Sequence, residues 1–127
     1  MSTCVASLCV KLLDTDVCQI LYGLPISPSA VPRLAAVVRT LGQGTVGLFV
    51  DHPQHVKLLD VVPESEWPGE VPIWVNIDTG YHREGVEAHS KQLADIAYSL
   101  SASKRTHLAG LYTHMVSSTD RDSMIVY

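Results

Sequence analysis

Apolar residues along this chain fall into two alternating patterns. Four short runs are almost continuously apolar, rich in Val, Ile, Leu and aromatic residues, and bounded by turn-forming residues. This pattern is typical of parallel strands that are buried on both faces. The predicted strands comprise residues 19–22, 45–50, 73–77 and 108–112.

The segments between these runs have helical spacing. In residues 31–41, apolar side chains recur at steps of three and four, with Pro32 near the start and Gly42 after the end, which indicates a helix. Residues 61–70 hold two prolines with acidic residues between them and are predicted to form a surface loop. Further helices are predicted over residues 5–13, 53–60 and 87–100, the last of which is expected to bury Leu93, Ile96, Ala97 and Leu100.

Alternation of helices and strands implies a parallel sheet with crossover helices. A doubly wound sheet and a (β/α)8 barrel both fit the order of the elements. A complete barrel takes about 250 residues, whereas this chain has 127. The pattern alone therefore leaves both architectures open, and a barrel would have to be incomplete.

Composition narrows the class of protein. Apolar residues make up 46 % of the chain and charged residues 17 %, which is typical of a globular protein. The net charge is −4 and the basic residues are scattered, which argues against nucleic-acid binding. No apolar run reaches the ~18 residues of a membrane helix. The three cysteines (Cys4, Cys9 and Cys18) match neither a disulfide framework nor a zinc spacing. We therefore predict a cytoplasmic protein that binds neither membranes nor nucleic acid.

The most informative stretch for chemistry follows the third predicted strand. The strand ends at Asp78, a glycine turn follows, and Arg83 and Gly85 precede the next helix. Ligands of parallel α/β proteins bind beyond the carboxyl ends of the strands. A guanidinium there offers a planar pair of donors to a phenolate or carboxylate. The alternative is that Asp78 only caps the turn and that Arg83 forms an ion pair with it.

Residues 78–86, with the sequence DTGYHREGV, resemble a barrel motif of fold-type III enzymes that use pyridoxal 5′-phosphate (PLP). This family includes alanine racemase, D-serine dehydratase and D-threonine aldolase, and its motif is Asp-x-Gly-x-x-Arg-x-Gly. Residues 20–25 (ILYGLP) resemble the strand end and loop of the D-serine dehydratase-like branch. Residues 110–114 (GLYTH) resemble the strand after the arginine motif, which ends in a histidine, and residues 2–3 resemble the end of the strand that follows the family's lysine strand.

The resemblance implies an α/β fold, an incomplete (β/α)8 TIM-type barrel of about four consecutive βα units with parallel strands. Residues 1–114 would form a partial alanine racemase N-terminal-like barrel domain, and residues 115–127 a divergent C-terminal tail. After the strand-end histidine, the D-serine dehydratase-like pattern continues with small residues, glycine and His-Ser-Tyr, whereas this chain has MVSSTD at 115–120. The alanine racemase-like branch can carry a small-residue run that ends in Asp here. The tail is therefore not decisive by itself, but together with the absence of the family's first barrel strand it leads to the hypothesis of a truncated or misannotated gene product.

By this resemblance, four side chains belong to a cofactor-binding wall. Arg83 would face the phenolic oxygen of PLP and keep it anionic, and His114 would lie against the pyridine ring. Asp78 would shape the turn that presents Arg83, and Tyr22 would line the mouth of the same site. Without the family, His114 would be interpreted as a structural histidine at a strand end and Tyr22 as an aromatic residue at the edge of the core.

In the family, a lysine on the first barrel strand holds PLP through a Schiff base, and that strand should precede Met1. The phosphate-binding loops and a C-terminal β domain, with the metal ligands of the D-serine dehydratase-like branch, should follow Tyr127. We therefore expect no catalytic residue and no metal ligand in this chain, doubtful binding of PLP, and no normal turnover. The parent family would act on a small D-amino acid by elimination, retro-aldol cleavage or racemisation. The lysines present fall in predicted helices or at their ends: Lys11, Lys57, Lys91 and Lys104.

Other interpretations start from the same residues. The triplet at 78–80 also resembles the active-site triplet of aspartic proteases, but that fold is all-β and helical segments flank the triplet here. His52 and His55 have H-x-x-H spacing, to which His82 and His89 could add ligands. A zinc site needs three or four converging ligands, so a solvated helix start is favoured. Finally, a half barrel has open edges, which predicts self-association or a non-catalytic binding role.

Overall fold

The computed structural model describes residues 19–114, so the predicted helix at 5–13 and the tail at 115–127 lie outside the described residues. The described part of the chain contains five strands and three helices. In chain order these are β1 (Ile20–Tyr22), α1 (Val31–Leu41), β2 (Val46–Val50), α2 (Pro53–Asp60), β3 (Val71–Asp78), β4 (Val86–Glu87), α3 (Lys91–Ala102) and β5 (Thr106–Tyr112).

The main sheet is parallel and has the order β1-β2-β3-β5. The two-residue strand β4 extends the sheet only at the end of β3, where Val86 pairs with Ile77 and Glu87 with Asp78. The prediction of parallel strands joined by crossover helices is confirmed. β5 has β3 as its partner, and β1 has β2, so each has no second neighbour among the described strands.

All three helices pack on the same face of the sheet. Alternate residues of β2 and β3 point to that face and join side chains from α1, α2 and α3 in one hydrophobic core. Burying a Val, Leu or Ile side chain contributes about 1.5–3 kcal/mol, so this face holds most of the apolar stabilisation. A doubly wound sheet would have helices on both faces, whereas a barrel wall has them on one. The most deeply buried core residues include Leu34, Val38, Leu48, Val50, Val56, Leu59, Ile73 and Ile96.

The start of α3 differs from the prediction that the helix begins at residue 87. Glu87 is paired with β3, and the Ser90 side chain accepts a hydrogen bond from the Leu93 backbone N–H at 3.2 Å, so the helix begins at Lys91. The predicted burial of Ala97 is wrong, because it lies on the exposed side of the helix. The helix touches the core along a narrow stripe: Ile96 is fully buried, and Leu93 and Leu100 are partly buried.

The predicted loop at 61–70 is largely at the surface, but its Trp67 is only 1 % exposed. Its carbonyl oxygen accepts a hydrogen bond from Arg105 Nη2 at 2.7 Å, just before β5. The Arg105 carbonyl in turn accepts from the Val71 N–H at 2.8 Å. The loop therefore closes the amino-terminal end of the sheet, which proline and acidic content alone did not indicate.

The face of the sheet without helices is packed tightly around Trp74 of β3. An added Cβ would lie 3.0 Å from this ring at Gly47 and 2.5 Å from it at Gly110. The two glycines therefore make room for the indole on the neighbouring strands β2 and β5. Nearby, the rings of Phe49 and Tyr112 stack with centroids 4.4 Å apart. This face thus has an aromatic lining from three strands.

Candidate functional site at the carboxyl ends of β3 and β5

Asp78 ends β3 and organises the turn that follows. Its Oδ1 accepts hydrogen bonds from the backbone N–H groups of Gly80 (2.8 Å) and His82 (3.1 Å), and its Oδ2 lies 3.0 Å from His82 Nδ1. These bonds, led by that from the Gly80 N–H, lower the pKa of Asp78. The ionised carboxylate therefore holds the turn in shape, as the sequence predicted for this residue.

The second glycine of the motif, Gly85, is required for a steric reason. Gly85 has φ of 101°, and a Cβ there would lie 2.8 Å from the backbone nitrogen of Asp78 and 3.1 Å from the Asn76 carbonyl oxygen. Backbone atoms cannot yield as a flexible side chain could. Only glycine allows the chain to return alongside β3 and form β4.

Arg83 lies in the same turn and forms its ion pair with the adjacent Glu84, with Nη2 3.1 Å from Oε1. The hydrogen bond to Glu84 is the main cause that raises the pKa of Arg83. The guanidinium also lies over the ring of Tyr81, with Cζ 5.0 Å from the ring centroid. The alternative pairing of Arg83 with Asp78 is not observed, because the Asp78 oxygens are occupied by the turn and by His82. Arg83 thus remains a cation at the edge of the sheet.

His114 follows β5 and is brought next to the β3 turn. Its ring centroid lies 5.2 Å from that of Tyr81, with the planes inclined by 55°. A second contact joins the same segments, since Thr79 Oγ1 and Thr113 Oγ1 are hydrogen-bonded at 2.8 Å. The structure therefore groups three of the four predicted cofactor-wall residues: Asp78, Arg83 and His114.

Tyr22 lies elsewhere. It pairs in register with Leu48, whose side chain is fully buried on the helix-covered face, and it packs against the hydrophobic core. This position favours the interpretation of Tyr22 as an aromatic residue at the edge of the core, and its role at the site stays a prediction. The loop that follows Tyr22, residues 23–25, reaches the site instead. A shallow, open cleft is lined by Gly23, Leu24, Pro25, Phe49, Asp51, Asn76 and Glu84.

Four site residues were missed by the sequence analysis: Tyr81, Glu84, Asn76 and Tyr112. Asn76 and Tyr112 pair across β3 and β5, and the period of two in β3 places Asn76 on the same face as Asp78. This period was the signal that could have found Asn76. Its Oδ1 is buried without a hydrogen-bond partner in the described part of the chain. Tyr81 and Glu84 lie in an irregular turn, where no period applies.

The two histidines after β2, His52 and His55, contact residues close to them in the sequence. His52 caps α2, with its Nδ1 accepting from the Gln54 N–H at 3.2 Å. His55 Nδ1 lies 3.4 Å from Asp51 Oδ1, and burial is the main cause that lowers the pKa of His55. Between residues 19 and 114, no group of three or more His, Cys, Asp or Glu side chains is arranged to hold a metal ion.

The lysines of the described segment lie away from this edge. Lys57 is in α2, Lys104 precedes β5, and Lys91 is in α3, where its Nζ pairs with Asp95 at 2.8 Å. None of these three lies at the carboxyl end of a strand. Lys11 lies outside the described residues. Helices long and apolar enough to cross a membrane are also absent from residues 19–114.

Comparison with known proteins agrees with this arrangement. The chain is 32 % identical over 114 residues to D-serine dehydratase of Schizosaccharomyces pombe. The aligned region covers 85 % of this chain and 26 % of that protein. The structure of D-threo-3-hydroxyaspartate dehydratase from Delftia sp. HT23 matches with a TM-score of 0.69 and 26 % identity, over 89 % of this chain and 28 % of that one.

Alanine racemase of Clostridium difficile 630 matches with a TM-score of 0.67 and 15 % identity, over 88 % of this chain and 27 % of that one. The prediction of a partial TIM-type barrel is thereby confirmed, and the all-β fold of aspartic proteases is excluded. The chain spans only about a quarter of the length of these relatives. Since residues 24–125 match the alanine racemase N-terminal domain, the chain belongs to that family of PLP-dependent barrel domains.

Proposed function

We propose that this chain supplies part of the PLP-binding wall of an enzyme that acts on a D-amino acid. The observation that carries the proposal is the grouping of Arg83 and His114 at the carboxyl ends of β3 and β5, where both contact Tyr81. Ligands of parallel barrels bind at this end of the strands. Membership of the alanine racemase N-terminal domain family supports PLP as the ligand.

The residues present fit a planar, anionic ring. Arg83 is a cation whose pKa is raised, chiefly by its hydrogen bond to Glu84, so it carries its charge at any physiological pH. The side chain is 55 % exposed, which leaves guanidinium N–H groups free to donate to a ligand. The stacked rings of Phe49 and Tyr112 lie on the sheet face that leads to this edge. Charge, donors and aromatic surface therefore meet in one place.

PLP, when bound, supplies an electron sink for negative charge at the α-carbon of an amino acid. Toward that cofactor, Arg83 would donate to the phenolic oxygen and hold it as an anion. His114 would support the pyridine ring from the end of β5. Asp78 would keep the turn closed; its oxygens are already occupied by Gly80 and His82, so it has a structural role and transfers no proton.

A D-configured 3-hydroxy amino acid is the substrate class we favour for the parent enzyme, with elimination of water as the reaction. The two relatives with the higher identities are a D-serine dehydratase and a D-threo-3-hydroxyaspartate dehydratase. The alanine racemase of Clostridium difficile, at 15 % identity, supports the fold alone. Racemisation and retro-aldol cleavage are the alternatives.

We further propose that the 127-residue chain has no normal turnover by itself, because no lysine between residues 19 and 114 lies at the carboxyl end of a strand, where it could hold the cofactor. The positions of Lys57, Lys91 and Lys104 in helices or before a strand support this. A cytoplasmic location, inferred from the cysteine pattern, remains part of the proposal.

The first test is the absorbance spectrum of the purified chain with PLP, before and after borohydride reduction, with peptide mass spectrometry to locate any label. We expect no stoichiometric adduct on a single lysine. One specific adduct on Lys11, Lys57, Lys91 or Lys104 would disprove the missing anchor, and turnover of D-serine and D-threonine should then be assayed directly.

A chimera tests the reaction class. The segment of the Schizosaccharomyces pombe D-serine dehydratase that matches this chain is replaced by the corresponding residues of this chain, and pyruvate formation from D-serine is measured. We expect turnover, its loss in Arg83→Ala, and its retention in the matched surface variant Arg39→Ala. A folded chimera that racemises D-serine but forms no pyruvate would contradict the dehydratase assignment.

Self-association is a second proposal, and it rests on β5. Leu108 and Leu111 are level with the buried Ile73 and Val75 of β3, yet they are 55 % and 64 % exposed. Exposed apolar side chains beside an open strand edge favour pairing with a second copy. Sedimentation velocity over a range of concentrations should show dimers, and a monomer at every concentration would disprove this partner.

A further inference from the structure

Tyr81 contacts two of the four side chains assigned to the cofactor wall, Arg83 and His114. Its ring lies beneath the Arg83 guanidinium, with Cζ 5.0 Å from the centroid, and its centroid lies 5.2 Å from that of His114. One aromatic ring thus contacts a cation from its own turn and an imidazole from the end of β5. Tyr81 is 41 % exposed, so its contacts are made at the surface of the site and not in the core.

The local backbone fixes where this ring points. The residues on either side, Gly80 and His82, have φ of 112° and 55°. Their backbone N–H groups both donate to Asp78 Oδ1, at 2.8 and 3.1 Å. A residue between two positive-φ neighbours that share one acceptor has little conformational freedom. The turn therefore presents Tyr81 in a defined direction.

The two segments are also tied together next to this ring. Thr79 and Thr113 are joined by a hydrogen bond of 2.8 Å between their hydroxyl groups. Thr113 directly precedes His114, and Thr79 lies two residues before Tyr81. The contact between Tyr81 and His114 therefore bridges two strand ends that are already held at a fixed distance.

Arg83 needs such a restraint. Its side chain is 55 % exposed and its ion pair is with the adjacent residue, Glu84. Exposed ion pairs restrict a long side chain only weakly, and arginine has much rotamer freedom to lose. A ring stacked on the guanidinium restrains its plane without using its N–H donors. Those donors then remain available to an anionic ligand.

We propose that Tyr81 is a positioning residue that fixes the Arg83 guanidinium and the His114 imidazole relative to each other before a ligand binds. The identity of that ligand rests on the proposed function. The arrangement of the two groups is a property of the free chain and can be measured without PLP.

The ligand-free test compares the wild-type chain with Tyr81→Phe, which keeps the ring, and Tyr81→Leu, which removes it. Tyr98→Leu is a matched control, because Tyr98 is an exposed tyrosine in α3. Nuclear magnetic resonance reports the ring-current shifts of the His114 ring protons and of the Arg83 δ-methylene. We expect these shifts to survive in Tyr81→Phe and in the control, and to be lost in Tyr81→Leu. Unchanged signals in Tyr81→Leu would overturn the proposal.

The ligand test uses pyridoxine 5′-phosphate, which lacks the aldehyde and cannot react with lysines. We expect Tyr81→Leu to weaken its binding about fivefold, the effect of one exposed cation–π contact, and Tyr81→Phe to change it less than twofold. Equal affinities in wild type and Tyr81→Leu would overturn the positioning role and leave the proposed function intact. No binding to the wild-type chain would agree with a wall that supplies only part of the site; the chimera would then test the proposed function, and the ligand-free comparison would decide on Tyr81.

Discussion

The turn after β3 lies close to the outer face of β5, which is the face that carries Leu108 and Leu111. The two regions are constrained very differently. In the turn, Asp78 accepts several hydrogen bonds and the backbone around Gly85 excludes any side chain. On the outer face of β5, Leu108 and Leu111 continue the apolar core pattern, but no element among residues 19–114 covers them. The comparison teaches that contacts among residues 19–114 fix the turn after β3, whereas the same residues leave the outer face of β5 uncovered.

The largest effect is expected from Gly85→Ala. Its positive φ costs about 1–3 kcal/mol in a non-glycine residue, and the Cβ would also press on backbone atoms 2.8 and 3.1 Å away. We expect a loss of about 3 kcal/mol or more in the free energy of unfolding, measured by urea denaturation. Gly80→Ala is the matched control, because Gly80 has φ of 112° but no atom within 4 Å of its Cβ position. Equal losses in the two variants would show that the turn is less crowded than described.

Gly110→Ala tests β5 itself, on the face opposite Leu111. Its Cβ would lie 2.5 Å from the Trp74 ring, and overpacking of this kind costs about 1–3 kcal/mol. We expect that loss in urea denaturation and a large part of it to be recovered in the double variant with Trp74→Leu. An unchanged midpoint in Gly110→Ala would indicate that the indole moves freely.

The loss of stability at acidic pH should depend on Asp78. Its folded-state pKa lies below the unfolded value of about 4, so the ionised carboxylate stabilises the fold at neutral pH. This contribution is lost as the pH falls below about 4, through the lowered folded-state pKa. Asp78→Asn keeps an acceptor for the turn but removes the titration, so its melting temperature should fall less than that of the wild type between pH 5 and pH 3.

The control for this prediction is Asp95→Asn, because Asp95 is an exposed carboxylate on α3 that pairs with Lys91. Its acid profile should follow that of the wild type. Identical profiles for Asp78→Asn and the wild type would mean that the turn does not depend on the charge of Asp78.

The smallest effect on stability is expected from Leu111→Ser. Substitutions at exposed positions usually change the free energy of unfolding by less than about 0.5 kcal/mol, and Leu111 is 64 % exposed. Leu34→Ser in α1 is the contrasting control, since Leu34 is buried in the core. If self-association uses β5, Leu111→Ser should lower the dimer fraction in sedimentation velocity. A loss of stability comparable to that of Leu34→Ser would show that this face is covered.

The helices and strands were predictable where the apolar residues followed a single periodic pattern. β1, β2, β3, α1 and α2 were found close to their observed bounds, because their apolar residues meet one continuous core. β5 was also found from its apolar run, although Leu108 and Leu111 are exposed. The start of α3 was wrong because the pairing of Glu87 with β3 overrides helical propensity, and only the tertiary structure contains that pairing. The arginine motif and the strand-end histidine were found by family resemblance, and their grouping could not be computed from spacing. Tyr81 was missed because an aromatic residue in an irregular turn follows no period.

The two tryptophans of the chain give it a built-in optical readout. Trp67 is sealed beneath the amino-terminal end of the sheet, whereas Trp74 lies partly open on the face without helices, between Gly47 and Gly110. Acrylamide should therefore quench the emission of Trp74 and spare that of Trp67. Whatever comes to cover the helix-free face, whether the rest of a barrel or a second chain, should protect Trp74 from the quencher and shift its emission to shorter wavelength. Closure of the barrel wall could then be followed by fluorescence in the unlabelled protein.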